Sequence, residues 1–386
     1  MSVRKKFVYT ALSLSLFTVP ALSACGADKA SEPTKAESSQ KDGSMKENVK
    51  SMQKTLAALQ ASLDKKDEKK VVAQGKKLND QWLSYETEIR EKYPLLYTDA
   101  EKYLQPLYNE VTKEKVDLDK IQEIGVQAGR SLDQLANAKK AAAKTSEALD
   151  KAVADYKTYV EEQTEELVKT TTAFTDAVRA NDAEKAKFAY GQARVYYERI
   201  EPIAESFGDL DPKIDAREND VSADEWSGFH RIEKALWKDG TLEGMATYAD
   251  QLDKDVAELQ GEIKNVKLTS TQVVAGSMEL LNEAAISKVT GEEERYSHID
   301  LVDLAANVEG SQAIYHAILP ALTDKNPDLS NQLDTEFNQL TETLTKYKQG
   351  DSYVAYTTLS KEQVRELSQQ LSSLSESMAQ TAEIFQ

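Results

Sequence analysis

From about residue 46 onward, apolar residues recur three and four positions apart, and no stretch alternates apolar with polar between turn residues. The spacing predicts helices through MKENVKSMQKTLAALQASLDKKD and KKVVAQGKKLNDQWLSYETEIREKY, the latter followed by Pro94. It predicts others from about Asp99 to Val111 and from Leu118 to Ala148, and a long run that ends near residue 182. The segment DAEKAKFAYGQARVYYERIEPIAESF continues the series. Further helices are expected over 242–264, 269–288, 300–322, 326–348 and 359–384, with TDKNPDLS and KQGDSY as turns. Short connections favour antiparallel neighbours, so the expected fold class is all-α, built of antiparallel helical bundles.

The pattern differs at the N-terminus. Arg4, Lys5 and Lys6 precede an apolar run from Phe7 to about Pro20 that is too short for a comfortable membrane span. The run closes on Leu22-Ser23-Ala24-Cys25, which resembles a bacterial lipobox. Residues 1–24 are therefore expected to be a lipoprotein signal peptide, with Cys25 lipidated (a palmitate anchor) on the outer face of the cell membrane. Cys25 is the only cysteine, so no intramolecular disulfide can form. Residues 25–45 are polar without periodicity and read as a flexible tether. Two domains are expected beyond it, a helical one over 46–147 and the main body over 148–386.

Composition narrows the function classes. Glycine (15) and proline (8) are scarce, against a β-sandwich with many tight turns. A net charge of −18 disfavours nucleic acid as a partner and is compatible with cations.

One of only three histidines lies in GFHRIEKALW, with His230 three residues before Glu233. On a helix this spacing lets both side chains reach one ion. Taken alone, such a pair is more often hydrogen-bonded or exposed than metal-binding. Phe229, Ile232 and Leu236 form an apolar stripe, while Arg231, Lys234 and Lys238 face solvent. His230 and Glu233 fall on the flank with Trp226 and Trp237, at the edge of a core. Ser222 and Glu225 have capping-box spacing for that helix. Upstream, Glu198, Glu201 and Glu205 share a helix face, and Arg194 has the spacing of a surface ion pair with Glu198. Pro202 should kink this helix. Tyr196 and Tyr197 read as core aromatics, His298 as a helix-start residue and His316 as a core histidine. Residues 231 and 234 are Arg and Lys, so the His-Glu-x-x-His motif of a zinc peptidase is absent.

GFHRIE, with YERIEPIAESFGDLDPKIDARE upstream and GEEERYSHIDLVDLAANVEG downstream, resembles the imelysin-like family over roughly residues 150–386. More narrowly it resembles that family's EfeO/EfeM-type iron-uptake lipoproteins, in the short form without a cupredoxin domain. The resemblance implies a double four-helix-bundle body and a metal site of His230, Glu233, Glu198, Glu201, Asp215 and an acid within Glu292–Glu294, placed at Glu293. It further implies the extracytoplasmic component of an EfeUOB-type system, not an enzyme, whose cargo is iron as Fe(III) or Fe(II), with other divalent metals as alternatives. Its implied partners are an iron permease in the membrane and a secreted DyP-type peroxidase that oxidises Fe(II). Alternative readings are a metal-dependent binder of acidic polysaccharide and a metallopeptidase. Hard oxygen donors with one imidazole suit iron or manganese better than Cu(I).

Overall fold

The computed structural model describes residues 35–113, 115–138, 146–208 and 210–385. The expected leader, Cys25 and residues 25–34 of the expected tether lie outside the described residues. Residues 35–45 of that stretch belong to the first helix. Met1–Asp42 and Gly43–Gln386 are separate compact units, and the second holds all of the cores and the candidate site.

Fourteen α-helices carry the described chain. The first five are α1 (Lys35–Leu63), α2 (Glu68–Leu83), α3 (Glu86–Lys92), α4 (Pro94–Thr112) and α5 (Leu118–Ala136). They enclose a core of their own around Leu59, Trp82, Tyr97 and Leu132. Next come α6 (Glu147–Arg179), α7 (Ala183–Ala204), α8 (Leu210–Asp215), α9 (Gly228–Lys234) and α10 (Ala246–Asn265). The last four are α11 (Ser270–Ile286), α12 (Asp300–Lys325), α13 (Pro327–Thr345) and α14 (Lys361–Gln380). α6 packs on α7, α10 and α12, and α7 on α12, around Phe174, Tyr190 and Phe229, while α12 packs on α11 and α13, and both of these on α14, around Leu281, Phe337 and Leu371. α12 is thus shared by two bundles, which explains why its first turns are buried on almost every side.

The helix ends follow side-chain chemistry. Thr269 with Gln272 and Ser360 with Gln363 form capping boxes, and Ser146 caps α6. Asn326 caps α13 with Pro327 at its first position. Two expectations change. Ser222 does meet Glu225, but residues 222–226 are a turn, and the helix starts only at Gly228. KQGDSY, expected as a plain turn, forms a two-residue hairpin pairing Lys348 with Tyr353. The first of these cores also meets the third: α4 packs on α11, and Arg90 of α3 pairs with Glu279 of α11 at 2.7 Å. Among the described residues, no helix is long and apolar enough to cross a membrane.

Candidate metal centre

The centre lies where α7, α8, α9, the segment 288–299 and α12 converge. Two glycines allow this approach. Gly228 opens α9 at φ +82, and a Cβ there would lie 2.1 Å from the Ile214 carbonyl oxygen, so α9 can abut the end of α8 only through glycine. Gly310 lets α12 meet α7, since its Cβ would come within 2.4 Å of the Arg199 carbonyl oxygen. These contacts bring Asp215, His230, Glu198 and Asp303 into one buried cage.

His230 is 1% exposed and Glu233 is fully buried. That departs from the expected core edge, because the segment 288–299 covers the flank that would otherwise meet water. His230 Nδ1 faces Glu233 Oε2 at 3.1 Å. The other oxygen of Glu233 accepts from the backbone N–H of Tyr296 and of Ser297, each at 2.8 Å. Glu233 is thereby held from both sides. On the opposite edge of the ring, Nε2 lies 3.4 Å from Asp215 Oδ1 and 3.6 Å from Glu293 Oε1, with no hydrogen-bond partner. Glu293 Oε1 is also 3.7 Å from Arg194 and 3.8 Å from Lys288, a point towards which several groups aim without closing. A buried polar atom without a partner is costly, so this corner invites a ligand. Asp215, His230 and Glu293 offer donor atoms mutually close enough to share one ion, as do His230, Glu233 and Glu294.

The remaining acids are differently placed. Arg194, fully buried, contacts Asp215, Glu198, Glu294 and Asp303. Its pair with Glu198 forms as the spacing suggested, but in the interior rather than at the surface. Lys288 Nζ lies 2.9 Å from Glu198 Oε2 and 2.6 and 2.7 Å from the two oxygens of Glu201. Asn307 Nδ2 donates to both glutamates at 2.7 Å.

The electrostatics follow this division. Burial disfavours the His230 imidazolium, but Asp215, Glu233 and Glu293 outweigh it and raise the pKa to about 10. Burial lifts Asp215 to about 6 against the pull of Arg194 and His230. Glu198 is also pushed up by burial, yet Arg194 and Lys288 bring it down to about 2. Burial, then the charge on Glu198, raises Glu201. Lys288 and Arg217 overcome burial at Glu293 and hold it well below the usual carboxylate range.

The six residues marked in the sequence thus share one region, split into a His230 side and a Glu198–Glu201 side. The side chain of Glu205 is outside the described residues. Tyr197 is a core aromatic, whereas His316 is exposed on α12 rather than buried. His298 adopts φ +59 just before α12. Sequence reasoning passed over Lys288, Asp303, Asn307 and Tyr190, whose hydroxyl donates at 2.8 Å to Glu294, a neighbour of the favoured Glu293. A signal was present: Asp300, Asp303 and Asn307 recur at helical spacing within an otherwise apolar helix, and Lys288 stands alone after an apolar run.

The model of the family described as Peptidase_M75: Imelysin matches residues 152–381. The iron uptake system component EfeM of Bacillus subtilis (strain 168) is 52% identical over 383 residues, covering 98% of this chain and 100% of that protein. The iron uptake system component EfeO of Escherichia coli O157:H7 is 47% identical over 59% of this chain, which spans 62% of that protein's length. An Efem/EfeO family lipoprotein of Staphylococcus haemolyticus (strain JCSC1435) is 43% identical over 61% of this chain and 83% of its own.

Proposed function

The chain belongs to the imelysin family, and on that premise we propose that it is an extracytoplasmic iron-binding lipoprotein of an uptake system. The observation that carries this reading is the buried, unpartnered Nε2 of His230, faced by Asp215 and Glu293. Relatives described as iron uptake system components support iron as the cargo. A hard donor set of carboxylates and one imidazole fits Fe(III) or Fe(II).

In this reading Nε2, Asp215 and Glu293 hold the ion, and Glu233 fixes the ring through Nδ1, as carboxylates commonly do behind metal-bound histidines. Binding requires neutral imidazole, so the ion displaces the proton that the acids keep on His230. Lipidation at Cys25 would anchor the protein outside the cell. Iron oxidised by a peroxidase partner would be captured and passed to a membrane permease. In this reading the role is carriage rather than catalysis, as the description of relatives as iron uptake system components supports.

Tryptophan emission reports on the site. Trp237 stacks edge-on against Tyr190 with ring centroids 5.3 Å apart, and Trp226 donates to the carbonyl of Ala216, next to Asp215. Titration with Fe(III) citrate should quench this emission saturably. An unchanged curve in the double variant His230→Ala, Glu233→Ala would overturn the assignment.

A further inference from the structure

The two glutamates on the far side of the cage have a cation already. Glu198 and Glu201 stand at i and i+3 on α7, the spacing with which two carboxylates embrace one ion. Lys288 Nζ fills that position, within 2.9 Å of Glu198 Oε2 and of both oxygens of Glu201. The other oxygen of Glu198 contacts Arg194, and Asn307 bonds both acids from α12. Every oxygen of the pair is therefore engaged, in contrast to the bare Nε2 of His230. Lys288 is 2% exposed and opens the short 3-10 turn Lys288–Thr290, so its ammonium sits in the interior among these acids.

We propose that Lys288 is a resident cation that closes the Glu198–Glu201 half of the cage, so that the chain takes up one metal ion, at His230, rather than two. The lysine sets the stoichiometry of the site and prevents a carboxylate-bridged ion pair from assembling. The inference rests on the metal reading above, and its test separates the two.

Full-length protein is loaded with excess Fe(III) citrate, desalted, and its bound iron counted by elemental mass spectrometry. Wild type should hold one ion and Lys288→Met two. Adding Glu201→Gln to Lys288→Met should remove the second ion and leave the first. Removing one partner of a buried ion pair can destabilise a fold, so Lys288→Gln, which keeps a hydrogen-bond donor, is examined in parallel and should also hold two. A variant that melts higher by circular dichroism with iron than without it, by more than wild type does, supports the proposal, because the ion replaces the lost ammonium. Two ions in wild type, or one ion in both wild type and the folded lysine variants, would overturn it and leave the metal reading intact. Lysine variants that stay unfolded even with iron would also overturn it. No iron in any of the proteins would overturn the metal reading itself.

Discussion

The two halves of the cage contain the same kinds of acid and differ in how their charge is met. On the Glu198–Glu201 side, a lysine and an asparagine occupy the carboxylate oxygens. On the His230 side, Glu233 is braced by two backbone N–H groups while the far ring nitrogen faces carboxylates without bonding them. A buried charge needs partners: all four carboxylate oxygens of Glu198 and Glu201 find them within the chain, whereas His230 Nε2 does not. In the proposed reading, the unpartnered imidazole nitrogen beside two carboxylates, rather than acidity alone, distinguishes the ion's half of the cage.

Arg194 touches both halves, so its loss should have the largest effect. Arg194→Met strands Asp303 in the interior and takes one of two cations from Glu198, and should cost about 3–5 kcal/mol of stability, read by chemical denaturation. A loss below about 1 kcal/mol would show that the halves are not held by one cation. The second prediction contrasts the halves directly. His230→Ala should weaken iron binding by more than about 100-fold, beyond the ~10–100-fold expected when Glu233→Gln frees the ring. Glu201→Gln should weaken it less than either, and equal losses in titration calorimetry would erase the distinction.

Smaller effects follow from packing and protonation. Gly310→Ala would force α12 from α7 and should cost about 1–3 kcal/mol, with iron affinity falling in step. For pH, the raised groups share one sign. Stability from Asp215 is complete below its ordinary 3.8 and is lost as pH rises through about 6. Glu101 on α4, lifted to about 8 by burial and then by Glu279, loses its contribution between 4.5 and 8. His230 loses its contribution between 6.5 and about 10. The iron-free protein should melt lower at pH 8.5 than at pH 6, while the rise in melting temperature on adding iron should be larger at pH 8.5. A smaller rise at the higher pH would contradict proton displacement from His230.

Helices were legible because periodicity records which face is buried. The predicted spans 300–322 and 326–348 correspond to α12 at Asp300–Lys325 and α13 at Pro327–Thr345. The start of α9 was misread because Ser222 and Glu225 have capping spacing, yet the backbone turns again before Gly228 can enter against Ile214. Tertiary contact, invisible in a local window, decides that boundary. His230 and Glu233 were visible as a motif, but their burial was not, since it depends on a segment some 60 residues away closing over them. Lys288 was missed because one lysine after an apolar run looks like a helix end until its glutamate partners from α7 are placed beside it.

The central claim concerns where the ion sits. A crystal of the iron-loaded protein, with diffraction collected at the iron absorption edge, locates it directly. The account predicts a single anomalous peak at bonding distance from His230 Nε2 and from carboxylate oxygens of Asp215 and Glu293, with Lys288 still between Glu198 and Glu201. A peak between Glu198 and Glu201 with Lys288 displaced, or one that leaves His230 Nε2 unbound, would contradict it.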